Sequence, residues 1–314
     1  MRILFTGLGS IGRRHIKNLA EELRRQNLSF EIDALRATES ELPGETAALL
    51  ARQYRSFEEL EGEYDIAYIT NPTSLHAETI RALSPIARAM FIEKPLWTEA
   101  EGDISSLGLR ADGVYYVACP LRHSPVIQRA CELASASRVF AARALSSSYL
   151  PDWRPQTDHR KCYSARRGMG GGVELDLVHE WDYLSFIFGF PLEIKAEAGR
   201  FSEVTVDSDD LALYIARYSD MLLSLQLDYF GRKPRRQLEI YTEDETYVCD
   251  IVGAKIHRLR DDTTESFIDF DIYKNETAYF VALARGIIRE NMNGVENAAR
   301  VVKLACAPLE PERE

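Results

Sequence analysis

The segment RILFTGLGSIGRRHIKNLAEELRRQ constrains the fold of this chain more than any other stretch. Arg2 to Thr6 form a short apolar run, Gly7, Gly9 and Gly12 follow at G-x-G-x-x-G spacing, and Ile16, Leu19, Ala20 and Leu23 then recur at helical intervals. The order is strand, tight turn, helix. Glycine at 7 permits the turn, at 9 lets the backbone approach a pyrophosphate, and at 12 lets the helix pack closely. The helix-start N–H groups, including those of Ser10 and Ile11, would face the anion. The flanks fit a dinucleotide-binding turn better than three glycines that merely reverse the chain.

A second strand, in FEIDALRATESE, should end near an adenosine ribose. An acid there would bond the ribose hydroxyls, whereas an arginine suits a 2′-phosphate. Asp33 lies inside the apolar set Ile32, Ala34 and Leu35, while Arg36, followed by Thr38 and Ser40, sits where strand gives way to loop. Arg36 favours NADP. A solvated Arg36 would leave NAD open.

YDIAYITNPTSLHAETIRAL then reads as a strand halted at Thr70-Asn71-Pro72, with a helix from about Ser74. Carbonyl ends of such strands hold cofactors in open α/β sheets, so Thr70, Asn71 and Pro72 are candidates, and His76 could reach the cofactor or cap the loop. ARAMFIEKPL supplies what this reading counts as the fourth strand, and GVYYVACPL one more. A strand ending at Ile92 delivers Glu93 and Lys94 to the carbonyl edge, with Pro95 fixing the turn. The expected first domain, residues 1–118, is a doubly wound parallel sheet.

Beyond residue 119 the pattern changes. RVFAARALSSSYL, PLEIKAEAGRF, DLALYIARYSD and MLLSLQLDYF are strand-like, and Leu223, Leu225, Leu227 and Tyr229 alternate with polar residues. Residues 119–314 are therefore expected to form an α+β domain with a large open, mainly antiparallel sheet. One helical insertion, VELDLVHEWDYLSFIFG, follows Gly170, Gly171 and Gly172; in it Asp176 and His179 stand three apart, on one face of a helix. A histidine oriented by a carboxylate is a serviceable proton acceptor, which makes His179 the candidate acid/base. Before it lies an aperiodic stretch containing Trp153, Arg154, Arg160, Tyr163, Arg166 and Arg167. Such loops bind ligands or subunits, and this aromatic and arginine content suits a sugar face plus an anionic group such as a carboxylate or nucleotide phosphate, with Trp153, Arg154 and Tyr163 the candidates and Arg122 at the junction a further one.

At 314 residues the chain is long enough for two cores, and a net charge of −11 argues against nucleic acid as a partner. Five scattered cysteines form no C-x-x-C pair, so neither a disulfide framework nor a metal site is indicated. No run suits a membrane span or a secretory leader, and a cytoplasmic location is expected.

Together, GLGSIG, DIAYITNPTSLH, IEKP and GGGVELDLVHEWDYLSFIFG resemble the glucose-fructose oxidoreductase, inositol dehydrogenase and rhizopine-catabolism protein family, across both domains. The resemblance implies an NAD(P)-dependent oxidoreductase acting on a carbinol carbon of a sugar-like substrate, with a nucleotide sugar among the candidates. It implies that Lys94 sits beside the nicotinamide and polarises the substrate oxygen. Relatives bury an open sheet face by pairing subunits, so a homodimer or homotetramer is expected. Many members space the acid and histidine as D-x-x-x-H, whereas Asp176 and His179 are one residue closer; Glu180 or Asp182 could therefore be the acidic partner. Some relatives are NAD-dependent glycosidases and others are sugar-responsive regulators without turnover; Lys94 and His179 together favour catalysis.

Overall fold

The computed structural model describes residues 1–37, 41–153, 158–167 and 171–307. The contacts divide the chain into two units, Met1–Pro120 with Asp271–Ala299, and Leu121–Phe270 with Arg300–Glu314.

The first unit is built on a six-stranded parallel sheet of order β3-β2-β1-β4-β5-β6. Its strands are β1 (Arg2–Thr6), β2 (Glu31–Leu35), β3 (Leu50–Tyr54), β4 (Tyr64–Ile69), β5 (Ala87–Ile92) and β6 (Val114–Val117), with helices α1 (Ser10–Arg25), α2 (Gly44–Ala47) and α3 (His76–Leu83) between them. β1 and β4 are neighbours, so the winding reverses there, the place where such sheets bind ligands. Buried Ile16, Leu19, Ala20 and Leu23 are the apolar face that the helical spacing predicts. E-K-P follows the fifth strand rather than the fourth, because β3, LARQY, is an edge strand whose three central residues are exposed and which carries no apolar alternation. Thr73–Leu75 form a short 3-10 turn, and the α-helix starts at His76.

In the second unit an eight-stranded sheet runs β14-β13-β12-β11-β7-β10-β9-β8. Its strands are β7 (Val139–Tyr149), β8 (Glu193–Gly199), β9 (Leu211–Arg217), β10 (Leu222–Asp228), β11 (Phe230–Thr242), β12 (Thr246–Asp250), β13 (Lys255–Arg258) and β14 (Thr263–Ser266). All pairings are antiparallel except β7 with β10. Leu223, Leu225 and Leu227 point into the core with Leu238 and Ile240 of β11, the period-two burial that the alternation predicts. Helices α4 (Pro125–Ala136), α5 (Val173–Asp176) and α6 (His179–Phe188) belong to this unit, and α4 packs on α6.

A single boundary near residue 118 does not describe the whole chain. Helix α7 (Ile272–Ala284) returns to the first unit, where Phe280, Val281 and Leu283 join the core of Ile3, Phe5, Tyr68 and Phe91. Buried Glu276 anchors it, accepting hydrogen bonds from the Tyr116 hydroxyl at 3.0 Å and the Cys119 backbone at 2.7 Å. The last helix, α8 (Val295–Ala305), buries Val295, Ala298, Val301 and Val302 as its spacing predicts. Among the described residues no helix is long and apolar enough to cross a membrane, and none of the five cysteines is joined in a disulfide.

Candidate active site

The parallel register fixes one row of residues across the carbonyl edge of the first sheet. Leu35, Thr6, Ile69 and Ile92 are successive partners in β2, β1, β4 and β5, so Arg36, Gly7, Thr70 and Glu93 each stand one residue beyond the same rung. From Arg36 to Glu93 the row spans three strand spacings, about 14 Å.

Each glycine of the turn is required for a different reason. Gly7 has φ +86°, and a Cβ there would meet the Asn71 backbone at 3.0 Å. A Cβ on Gly12 would lie 2.6 Å from the Gly7 carbonyl oxygen and 2.8 Å from Thr70 Oγ1. Above Gly9 a Cβ meets nothing within 4 Å, so here the backbone faces open space at the start of α1, where Ser10 is also exposed and Ile11 is half-buried. This is the cradle that a pyrophosphate fits.

Thr70 closes the turn from β4: its hydroxyl donates to the Gly7 carbonyl at 2.6 Å. Asn71 reaches Thr79 Oγ1 at 2.7 Å, and Pro72 is exposed. His76 is almost fully buried, with Nδ1 at 3.0 Å from the Pro95 carbonyl oxygen and Nε2 at 3.1 Å from that of Asn71. Burial lowers its pKa against the opposing pull of those acceptors and Glu93. His76 thus ties the Asn71-Pro72 turn to the E-K-P turn at the sheet edge. Glu93 is likewise turned inward, 2.6 Å from Nε2 of His15, a residue that sequence reasoning missed. Its signal was a histidine three residues beyond Gly12, on the inward face of α1 beside Ile16. Lys94 is half-buried at the strand end, and the Lys94–Pro95 peptide is cis.

Arg36 is buried, its Nη1 donating to Gln53 Oε1 at 2.9 Å, and Arg55 donates to the Arg36 carbonyl at 3.3 Å. Burial and the neighbouring Arg55 charge lower the Arg36 pKa, a pair of like charges that suits an anion. Asp33, the competing acid, is fully buried with Arg2 and Tyr64 on one of its oxygens. Thr38 and Ser40 lie outside the described residues.

In the second unit the helical insertion is broken. It divides at Leu177-Val178 into α5 and α6, and the bonds Val178 N–H to Leu175 and Glu180 N–H to Leu177 are of the tighter i to i−3 type. The single helix expected through Asp176 and His179 is therefore replaced by a tightened junction, in which residues three apart come into line. Asp176 ends α5 and is buried, accepting a hydrogen bond at 3.1 Å from Tyr229, whose ring packs edge-on against Trp153 at 5.5 Å. His179 opens α6, half-buried. Tyr229, one residue past the end of β10, is visible as the last member of the alternation Leu223, Leu225, Leu227, Tyr229, but nothing local marks its partner.

The other acids of this helix are engaged. Glu180 Oε1 takes Nε of Arg236 at 2.7 Å, and Asp182 takes Nε and Nη2 of Arg122 at 3.0 and 2.8 Å. Arg122, expected to line a substrate pocket, is instead buried in that ion pair beneath Phe186. Trp153 is partly exposed and donates to Ser148 Oγ at 2.9 Å. Tyr163 lies in a short 3-10 turn, and Arg154 is outside the described residues. Arg160 pairs with Asp158 and Arg167 with Asp209. Between Gly172 and Asp209 lies buried Glu174, also unforeseen: burial first, then hydrogen bonding to the Asp209 carboxylate, raises its pKa to about 8.

Residues 1–107 match the profile of an oxidoreductase family with an NAD-binding Rossmann fold, GFO_IDH_MocA. A UDP-N-acetylglucosamine 3-dehydrogenase from Acidithiobacillus ferrooxidans is 22% identical over 259 residues, 82% of this chain and 76% of that protein. A solved structure of that enzyme superposes with a TM-score of 0.77 at 19% identity, covering 98% of this chain and 96% of the other. A levoglucosan dehydrogenase in complex with NADH and levoglucosan gives a TM-score of 0.81 at 16% identity, covering 98% and 96%. The WlbA dehydrogenase from Bordetella pertussis, in complex with NADH and UDP-GlcNAcA, gives 0.78 at 14%, covering 98% and 95%. At these identities the superpositions establish the two-domain fold.

Proposed function

We propose that the chain, whose residues 1–107 match the GFO_IDH_MocA oxidoreductase profile, moves hydride between a nicotinamide dinucleotide and a hydroxyl or keto carbon of a sugar or sugar derivative. The observation that carries this reading is the single row at the sheet edge, with an open glycine turn at Gly9 and Lys94 just past its Glu93 end. The dinucleotide supplies the hydride acceptor or donor. The α1 N-terminus and Gly9 hold the pyrophosphate, with Gly7, Gly12 and Thr70 shaping the turn around it. Lys94 hydrogen-bonds the substrate oxygen and stabilises the charge that develops on it. His179 exchanges the proton of that oxygen, and Asp176, fixed by Tyr229, orients it; the engagement of Glu180 and Asp182 by arginines supports Asp176 in this role.

NADP is favoured over NAD. Support comes from Arg36 beside Arg55 at the end of β2, with Asp33 already bonded, although the relatives' complexes contain NADH. The substrate is proposed to be a nucleotide sugar, in keeping with the relatives and with partly exposed Trp153 as a surface for a sugar face. A net-redox dehydrogenase acting on CH–OH groups is favoured over a regulator because Lys94, Asp176 and His179 are all present.

Nicotinamide absorbance, followed with UDP-hexosamines and UDP-hexuronates in both directions, tests the assignment. Turnover in wild type, with kcat reduced by about 10²–10⁴ in Lys94→Ala and His179→Ala and cofactor affinity retained, is the expected result. Variants that lose less than about tenfold would show that the proton relay lies elsewhere.

A further inference from the structure

The Glu93 carboxylate holds two residues at once. Oε1 lies 2.6 Å from His15 Nε2, and Oε2 accepts the Lys94 backbone N–H at 3.1 Å. Both side chains are taken from water: His15 is fully buried, and its ring stands 4.7 Å from Phe91, 5.8 Å from Tyr68 and 6.2 Å from Tyr273, centroid to centroid. Nδ1 of His15 has no hydrogen-bond partner among the described residues. Facing a carboxylate oxygen, which accepts, Nε2 is the donor of the bond to Glu93. Burial raises the Glu93 pKa, but the hydrogen bond and electrostatic interaction with His15, followed by the Lys94 charge and the Lys94 N–H, outweigh it and keep the carboxyl below its ordinary value.

We infer that His15 is a positioning residue for Lys94, acting through Glu93. The inference rests on the role proposed above for Lys94. His15 is on α1, the helix that the glycine turn opens, so the element proposed to hold the pyrophosphate also sets the posture of the E-K-P turn. His76 fastens the far side of that turn through the Pro95 carbonyl. Two histidines from two helices therefore restrain three consecutive residues, and a displaced Lys94 ammonium would miss a substrate oxygen even with the cofactor fully bound.

The test compares His15→Leu, which fills the box but donates nothing, with His15→Gln, whose amide can donate from near the Nε2 position. Expected for His15→Leu is a fall in kcat of about tenfold to a hundredfold, with cofactor Kd and substrate KM within about threefold of wild type. His15→Gln should keep most of the rate. A second readout needs no turnover: hydrogen exchange of the Lys94 amide should accelerate in His15→Leu and stay slow in His15→Gln. Should His15→Leu not fold, His15→Asn, with its amide near the Nδ1 position, takes its place. Unchanged kcat and unchanged Lys94 exchange in His15→Leu would overturn the inference, as would equal losses in the Leu and Gln variants or a cofactor Kd that rises in step with the loss of rate. If the exchange result holds while Lys94→Ala stays active, the coupling stands and the assigned role of Lys94 fails.

Discussion

The Tyr64 hydroxyl donates to Oδ2 of Asp33 at 3.0 Å, and the same oxygen takes a guanidinium N–H of Arg2 at 3.1 Å. Asp33 pairs with Leu4, two rungs short of the carbonyl edge, and its bonds run to β1 and β4. The acid that could have bound a ribose is thus committed inside the sheet, while Arg36 stands at the edge. Arg36→Ala should therefore weaken NADPH by about tenfold or more and leave NADH nearly unchanged, the scale of a charged hydrogen bond at about 1.5–3 kcal/mol. Fluorescence titration with both cofactors decides it. Equal losses, or an NADH preference in wild type, would remove the 2′-phosphate assignment.

The glycines make a paired prediction. Gly9→Val should leave thermal stability close to wild type, because the new side chain enters open space, but should abolish cofactor binding. Gly12→Ala should unsettle the fold, since its Cβ would approach the Gly7 carbonyl oxygen at 2.6 Å; overpacking of this kind costs about 1–3 kcal/mol. Scanning calorimetry and cofactor titration of the two variants should move in opposite senses. A Gly9→Val protein with full affinity would refute the cradle.

Local periodicity carries the reading of the fold where a residue's partners are set by burial alone. Ile16, Leu19, Ala20 and Leu23 reveal α1 because a helix repeats its buried face, and Leu223, Leu225 and Leu227 reveal β10 because a strand alternates. β3 escapes because an edge strand with exposed Ala51, Arg52 and Gln53 has no reason to alternate. The return of α7 escapes because its apolar residues do not specify which sheet they cover. In the site, the glycine turn and the E-K-P motif are legible since their spacing is local. The bonds of Arg122 to Asp182 and of Tyr229 to Asp176 join residues 60 and 53 apart, and neither chain position signals the other. The break between Asp176 and His179 has a local cue, the three-residue spacing, but that spacing alone does not distinguish a continuous helix from a tightened junction.

Assembly follows from the second sheet. Leu213, Ile215 and Leu222 are about half exposed on the face opposite the buried leucines, and they lie on neighbouring strands β9 and β10. We predict that a second copy covers this face, giving a dimer or tetramer. Ile215→Lys with Leu213→Lys should raise the dissociation constant by roughly tenfold or more, since each buried aliphatic side chain contributes about 1.5–3 kcal/mol. Light scattering at micromolar concentration should read an oligomer for wild type; a monomer would count against the prediction.

The buried carboxyl pair beside Gly172 predicts a pH dependence. Glu174 carries a pKa raised to about 8 by burial and by its hydrogen bond to Asp209, whereas unfolding would return it to its ordinary 4.5. The other groups facing it are Arg167, which pairs with Asp209 at 2.5 Å, and the buried Tyr214 hydroxyl. Between pH 4.5 and about 8 the folded chain keeps this proton and the unfolded chain has released it. Stability from this site is therefore greatest below the unfolded value and falls as pH rises through that window, levelling off above the folded value. Glu174→Gln mimics the neutral acid, donating its amide to Asp209 with no proton to lose. Relative to wild type its Tm should be similar at pH 5 and higher by several degrees at pH 8, because about 1 kcal/mol shifts Tm by roughly 2–4 °C in a chain of comparable size. Calorimetry across pH 5 to 8, in buffers of matched ionic strength, supplies the comparison. A Glu174→Gln Tm that runs parallel to wild type over the whole range would mean that Glu174 is already ionised in the folded chain.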